Sequence, residues 1–144
     1  MIDFGDKQKN ENWEKNMSRK VSSAKHVLVI DDQETVCEAV TDILDLESIP
    51  VLTALSGQAG VETYKEHRSQ IGLVLLDLSM PGMNGHETYQ ALCKINPHVP
   101  VILSSGYDEQ EILQRFNGSG LVGFLKKPYN LSVLIKTVKQ HLGL

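Results

Sequence analysis

The stretch that decides the fold is LVLLDLSMPGMNG, residues 73–85. Four aliphatic residues lead directly into Asp77, after which Pro81 and Gly82 break the chain. A short apolar run without polar alternation predicts a central strand of a parallel sheet that helices cover on both faces. Ligands of open α/β sheets bind at the carboxyl ends of the strands. Asp77 therefore either ends a strand or caps a turn, or it stands at the edge of the sheet where chemistry takes place.

Length and composition narrow the class of protein. The 144 residues suffice for one domain, and 41% hydrophobic and 22% charged residues are ordinary for a globular protein. No apolar run approaches the roughly 20 residues that span a bilayer, and no signal peptide is visible. Cys37 and Cys93 form no metal-binding spacing and fall on predicted helices, which indicates reduced core thiols in a cytoplasmic protein that is not membrane-bound by itself.

The net charge of −4 is unevenly distributed along the chain. Residues 1–25 carry six Lys/Arg and four Asp/Glu, which leaves −6 for the remainder. A domain this acidic predicts no direct binding of nucleic acid. The first 25 residues are polar and lack a sustained hydrophobic period, which indicates a flexible tail or linker at 1–25 before a folded domain at 26–144.

Five strand–helix units follow one another from His26 onwards. The predicted strands are 26–30, 50–54, the run that ends at Asp77, 99–103 and 121–125. Right-handed crossovers between such units produce an α/β fold with a doubly wound parallel sheet. For five strands, the leading arrangement is the flavodoxin-like order 2-1-3-4-5, with its switch point between strands 1 and 3.

Polar residues mark where the predicted helices begin. The fourth helix is expected to run from Asp108 to Phe116, before Gly118 and Gly120 break it. The last helix places Leu131 on the same apolar stripe as Leu134. The predicted caps are Ser56, Asn130 and two capping boxes, Asn84 with Glu87 and Asp108 with Glu111.

This strand order brings polar side chains together at one edge of the sheet. Three carboxylates in one cleft repel one another unless a cation lies among them, and Mg²⁺ suits oxygen ligands that leave coordination positions open. A hydroxyl and an ammonium group suit the oxygens of a transferring phosphoryl group, for which Asp77 would be the nucleophile. Each feature alone is typical of a helix cap or a solvated surface, so only the combination indicates phosphoryl transfer. The residues are Asp31, Asp32, Asp77, Ser104, Ser105, Lys126 and Lys127.

From about residue 26 to 143, the chain resembles the receiver domain of bacterial two-component response regulators. The segments that carry the resemblance are VLVIDD (27–32), LLDLSMPGMNG (75–85), PVILSSG (100–106) and GFLKKP (123–128). Such a receiver accepts a phosphoryl group from a histidine kinase or a histidine-phosphotransfer domain. The resemblance implies a signalling phosphoacceptor rather than an enzyme, either as a stand-alone receiver or as the receiver of a hybrid kinase.

The resemblance also implies a phosphorylation site and a metal site. Asp77 takes the position of the phosphoacceptor. Asp32, Asp77 and the backbone carbonyl of Ser79 would hold Mg²⁺, whereas Asp31 would act mostly through water.

Three further positions match the part of the family pattern that responds to phosphorylation. Ser105 takes the position of the conserved hydroxyl, and Lys127 takes that of the conserved lysine, so Ser104 and Lys126 do not. Phe124 takes the position of the aromatic switch residue. The resemblance further implies that the Lys127–Pro128 bond is cis, the one kind of peptide bond for which cis is cheap.

Two surfaces are expected to meet partners. In relatives of this kind, the start of the first helix and the loop after strand 5 meet the kinase or phosphotransfer protein; here these positions are Gln33, Val36, Pro128 and Tyr129, of which Gln33 and Val36 are expected to be exposed. The surface of helix 4, strand 5 and helix 5 is expected to change on phosphorylation and to dock a partner or a second copy of the chain.

Two other classes of function compete with this interpretation. An aspartyl-phosphate hydrolase generally needs an acidic residue two positions after its nucleophile, where this chain has Ser79. The presence of Asp32, Asp77, Ser105 and Lys127 argues against a pseudo-receiver that acts only as a binding scaffold. Because nothing follows the last helix, no output domain is expected. Ser79 and Tyr107 flank the predicted path of attacking water and neither positions water well, which predicts slow self-dephosphorylation.

Overall fold

A computed structural model of the chain describes residues 25–80, 82–114, 116 and 121–144. Its strands are β1 (His26–Ile30), β2 (Val51–Ala54), β3 (Ile71–Asp77), β4 (Val101–Ser105) and β5 (Leu121–Lys126). Its helices are α1 (Glu34–Asp45), α2 (Gly57–His67), α3 (Gly85–Ile95), α4 (Glu109–Leu113) and α5 (Leu131–Leu142), and a 3₁₀ turn (Arg68–Gln70) joins α2 to β3. Apart from Lys25, the predicted tail lies outside the described residues.

The five strands form one parallel sheet in the order β2-β1-β3-β4-β5, which confirms the predicted topology. From β1 the chain crosses outward to β2 and then returns to β3 on the other side of β1. This reversal opens the cleft in which ligands of such sheets bind. The register sets Ile30 beside Leu76 and Asp77 beside Ser104, so β1, β3 and β4 end close together.

Strand alternation divides the interior into two cores. Leu76 belongs to the first core, which α2, α3 and α4 cover, whereas its neighbour Leu75 belongs to the second core, which α1 and α5 cover. Both side chains are essentially inaccessible to water. Burying a side chain of this size stabilises the fold by about 1.5–3 kcal/mol. The uninterrupted apolar run before Asp77 is thus explained by helices on both faces of β3.

A glycine at the start of α3 lets this helix approach the end of β3. A Cβ atom on Gly85 would lie 2.6 Å from the Cα of Leu78 and 3.0 Å from the carbonyl oxygen of Asp77. Both neighbours are backbone atoms that cannot move aside cheaply. Gly85 therefore fixes the distance between α3 and the loop that follows Asp77.

Three of the four predicted helix caps are confirmed. Ser56 and Asn130 accept hydrogen bonds from the third residue of their helices, and Asn84 forms a capping box with Glu87. The capping box predicted at Asp108 is wrong, because this side chain accepts no capping hydrogen bond. Its carboxylate lies instead 3.7 Å from the ammonium group of Lys126.

Two predicted boundaries are also wrong. Strand β4 begins at Val101 rather than Val99 and includes Ser104 and Ser105, because Val99 still belongs to a turn in which its N–H donates to Asn96. Helix α4 ends at Leu113, and Phe116 lies beyond it with its ring edge-on to His86 and Tyr89. Leu131 does not join the apolar stripe of α5, since more than half of it is exposed.

Both cysteines lie on helices and neither is in a disulfide. Cys37 is buried beneath the carboxyl end of β1, where burial, followed by the charge of Asp31, raises the pKa of its thiol to about 11. Cys93 is only half-buried, so the expectation of a core thiol holds fully for Cys37 alone. Within the described residues, no helix is both long enough and apolar enough to cross a membrane.

Candidate functional site

Three carboxylates meet at the carboxyl ends of β1 and β3. Asp31 and Asp32 follow β1 and Asp77 is the last residue of β3, and one oxygen from each lies within 4.8 Å of the others. Asp31 and Asp77 are 1% and 3% exposed, whereas Asp32 faces solvent. The structure thus brings together the three acids that the sequence placed at strand ends.

Lys127 lies against two of these acids. Its ammonium nitrogen is 2.7 Å from Asp31 Oδ2 and 3.4 Å from Asp77 Oδ1. Burial lowers the pKa of this ammonium, but the hydrogen bond to Asp31 and the charges of both acids outweigh it and raise the pKa above its usual value. Lys127 therefore stays charged. Lys126 extends away from the carboxylates towards Asp108, as the resemblance implied.

The surroundings of Asp77 disfavour its ionised form and raise the pKa of its carboxyl group. Burial is the largest cause that raises the pKa of this carboxyl, and the charge of Asp31 adds to it. The N–H of Ser79, 3.2 Å from Oδ1, and the ammonium of Lys127 lower the pKa but do not compensate. One more cation beside Asp77 would therefore stabilise its ionised form.

Ser105 is fully buried at the end of β4. Its hydroxyl oxygen accepts a hydrogen bond from the N–H of Tyr107 at 3.0 Å, and its carbonyl accepts one from the N–H of Lys127 at 2.8 Å. Phe124 lies on β5 beside Leu103 and packs, half-buried, against the first core. The hydroxyl and the aromatic ring that the resemblance singled out are thus both on the same side of the sheet as α4.

Ser104, which the resemblance set aside, also has a specific partner. It is fully buried, and the hydroxyl of Tyr129 donates a hydrogen bond to its Oγ at 2.7 Å. Strand alternation alone predicts that Ser104 and Ser105 point to opposite faces. It does not identify Tyr129, because this contact joins segments that are 25 residues apart.

The predicted partner surface is only partly exposed. Gln33 and Pro128 face solvent, and the N–H of Gln33 donates to Asp31 Oδ1 at 2.9 Å. Val36 was expected to be exposed, but it is half-buried because its side chain packs against the second core. The ring of Tyr129 packs against the same core, with its hydroxyl directed inward.

A small cavity of about 210 Å³ adjoins the site beside Ser79. Tyr107 lines it and is 64% exposed. His86 also lines the cavity, with its ring 5.0 Å from that of Phe116. No sequence signal singled out this histidine. The cavity is lined by Leu78, Ser79, Asn84, His86, Tyr107, Ile112 and Phe116.

Comparisons with known proteins agree on one family. A sequence profile of the response regulator receiver domain matches residues 27–139. A cyclic di-GMP phosphodiesterase of Thermotoga maritima is 32% identical over 75% of this chain, and the sensor kinase CckA of Brucella abortus is 30% identical over 85% of it. The crystal structure of a response regulator receiver domain protein from Clostridium thermocellum aligns with a TM-score of 0.74 at 28% identity, over 83% of this chain and 94% of that one.

The chain belongs to the response regulator receiver domain family. It is a phosphoacceptor domain of two-component signalling. The chain spans only 28% of the matched phosphodiesterase and 13% of the matched kinase.

Proposed function

We propose that Asp77 is the residue that accepts the phosphoryl group. The observation that carries this proposal is the position of Lys127, whose ammonium group contacts both Asp31 and Asp77 within the cluster of three acids. A fixed ammonium beside a carboxylate suits the transfer of an anionic group, because it offsets the charge of the incoming phosphoryl oxygens.

The acidic cluster suits Mg²⁺. Three carboxylates and one ammonium leave the cleft with excess negative charge, and all of its donors are the oxygen ligands that Mg²⁺ prefers. We propose that Asp32, Asp77 and the backbone carbonyl of Ser79 hold the ion, and that Asp31 contributes through water. When bound, Mg²⁺ supplies positive charge that neutralises phosphoryl oxygens during transfer.

Oδ2 of Asp77 is the proposed nucleophile. The contacts with Ser79 and Lys127 both fall on Oδ1. Attack by Oδ2 on the donor phosphorus forms a P–O bond and breaks the P–N bond of a phosphohistidine. The electron pair of that bond returns to the imidazole, which then takes up a proton. Lys127 orients the phosphoryl group throughout and keeps its own proton.

Phosphorylation then acts on Ser105. Its hydroxyl accepts the N–H of Tyr107 and still has its own hydrogen to donate, so a movement of Ser105 towards Asp77 would let it bond a phosphoryl oxygen. We propose that this movement opens space on the α4 side of the sheet and that Phe124 turns into it. The two arrangements exist before phosphorylation, which selects one of them.

Partner contacts follow from the same edge of the sheet. We propose that the kinase or phosphotransfer protein docks across Gln33, Val36, Pro128 and Tyr129, next to the acids. The face formed by α4, β5 and α5 would dock a downstream partner or a second copy of the chain. Two cysteines without a disulfide suit the reducing cytoplasm that we propose as its location.

The chemistry of this domain is proposed to stop at phosphoryl transfer and slow hydrolysis. The hydrolase alternative would need an acid at position 79, where the chain has an exposed serine. Ser79 and Tyr107 line the same cavity beside the acceptor, and neither side chain carries a carboxylate or amide to position water.

Labelling with radioactive acetyl phosphate and Mg²⁺ tests the assignment of Asp77. Asp77→Asn should abolish the label, whereas Asp108→Asn, at the same end of the sheet but outside the cluster, should retain it. Hydroxylamine should release the label from the wild type, as expected for an acyl phosphate. Stoichiometric, acid-stable label on Asp77→Asn would refute the assignment.

A further inference from the structure

Tyr129 and Ser104 form a polar pair directly behind the candidate site. Ser104 is inaccessible to water, and the ring of Tyr129 packs against the second core. Burial is the main cause that raises the pKa of the Tyr129 phenol above its usual range. The bond to Ser104 lowers this pKa, and the charges of Asp31 and Asp77 raise it again. The phenol is therefore protonated and acts as the donor of the 2.7 Å hydrogen bond.

Ser104 connects the two strands that carry the reacting groups. In the pairing of β4 with β3 it lies beside Asp77, and in the pairing of β4 with β5 it lies beside Leu125. Its carbonyl oxygen accepts the N–H of Leu78, the residue that follows Asp77, at 3.0 Å. Its hydroxyl holds Tyr129, which comes two residues after Lys127.

The position of Lys127 depends on the backbone on either side of it. Its own N–H donates to the carbonyl of Ser105, which fixes the chain on the strand side. On the other side, Pro128 has no N–H to donate. The next side-chain anchor is the hydroxyl of Tyr129 on Ser104. A lysine side chain has several rotatable bonds, so small shifts of its backbone change where its ammonium group lies.

We propose that Tyr129, through its hydrogen bond to Ser104, is a positioning residue that holds Lys127 against Asp31 and Asp77. The inference rests on the phosphoryl transfer proposed above and adds Ser104 and Tyr129 to the groups on which its rate depends. It also assigns to Tyr129 an internal role in addition to contact with a partner.

A purely structural role makes a different prediction from a positioning role. If the pair only stabilised the second core, its loss would lower the melting temperature and would act on phosphorylation independently of Lys127. If the pair positions Lys127, its effect on phosphorylation must vanish once the ammonium group is removed, because residues that act as one unit are not additive.

The test measures initial rates of Mg²⁺-dependent labelling by acetyl phosphate for the wild type, Tyr129→Phe, Lys127→Ala and the double variant. Tyr129→Phe should slow labelling about fivefold, the rate equivalent of one lost hydrogen bond. In the Lys127→Ala background the same change should have no further effect. Ser104→Ala should reproduce Tyr129→Phe, and it replaces that variant if Tyr129→Phe fails to fold.

Tyr64→Phe is the matched control. Tyr64 is a buried tyrosine whose hydroxyl also has a hydrogen-bond partner, since it accepts from Asn96 Nδ2 at 3.0 Å, and it lies away from the acids. This variant should label at the wild-type rate. An equal slowing by Tyr129→Phe with and without Lys127, or a wild-type rate in Tyr129→Phe, would overturn the positioning role. Absence of label on the wild type would instead refute the proposed function itself.

Discussion

The two halves of the site are organised by different physical rules. At the ends of β1 and β3, three acids converge, and their mutual repulsion is the dominant property of the cleft. At the ends of β4 and β5, neighbouring residues of the same type separate: Ser104 from Ser105, and Lys126 from Lys127. The acidic half works through summed charge, whereas in the other half the direction of each side chain decides its role.

The lysine pair provides the largest expected contrast. Lys127→Ala removes the ammonium group that contacts Asp31 and Asp77, and it should slow labelling of Asp77 by roughly 100-fold, as for other lost electrostatic groups. Lys126→Ala removes an equal charge one residue away and should leave the rate within about twofold, because a screened surface charge contributes little. Similar slowing in both variants, measured as initial rates, would mean that charge rather than direction matters in this half.

Gly85→Ala tests whether the acidic half of the site depends on the close packing of α3 against the end of β3. The added methyl group would overlap the backbone of Leu78 and Asp77, and overpacking of this kind costs about 1–3 kcal/mol. We expect a lower free energy of unfolding, measured by urea denaturation. We also expect weaker Mg²⁺ binding, measured as a higher Mg²⁺ concentration needed for half-maximal labelling. Gly106→Ala is the control, because nothing lies within 4 Å of its added Cβ and its stability should change little. Wild-type stability in Gly85→Ala would show that α3 can shift away from β3 without cost.

Ser105→Ala separates phosphorylation from its consequence. The variant keeps all three acids and Lys127, so Asp77 should still be labelled, more slowly by severalfold because one donor to the phosphoryl group is lost, about 1 kcal/mol. The NMR shifts that accompany phosphorylation on α4, β5 and α5 should shrink, because alanine lacks the hydroxyl that is proposed to draw residue 105 towards the phosphoryl group and so to let Phe124 turn. A full set of shifts in this variant would contradict the coupling between Ser105 and Phe124.

The smallest expected effect concerns the lifetime of the phosphorylated state. Replacing Ser79 with Asn and Tyr107 with Glu places two water-binding groups around the cavity beside Asp77. Loss of label should become severalfold faster, a barrier change of about 1 kcal/mol. The decay of purified radiolabelled protein measures it, with each single variant as a control. Unchanged decay in the double variant would show that neither position controls the lifetime of the phosphorylated state.

The prediction of the fold succeeded where the sequence pattern is local and failed where neighbours compete. The aliphatic run before Asp77 and the caps at Ser56 and Asn84 were sufficient because each depends on residues within one element. Strand β4 begins later than predicted because Val99 still belongs to the turn after Asn96, to whose carbonyl its N–H donates. The cap expected at Asp108 is absent, and this carboxylate lies instead near Lys126 of another element.

For the site residues, the sequence predicted which charged groups lie at the strand ends but not which side chains they contact. The sequence alone placed Asp31, Asp32 and Asp77 at one edge of the sheet. It left two serines and two lysines as equal candidates, and only the family resemblance chose Ser105 and Lys127. Neither argument indicated that Val36 is half-buried or that His86 lines the adjoining cavity.

The sequence by itself determined the alternation of strands and helices, the parallel order of the sheet and the chemistry of its carboxyl edge. Hydrophobic period and helix caps are local properties, and parallel strands necessarily bring their ends to one edge. Only the tertiary structure decided that Lys127 reaches Asp31, 96 residues away, and that Tyr129 bonds to Ser104. Such contacts depend on register and on how α1 and α5 pack against the sheet, which arise from the whole fold rather than from any one segment.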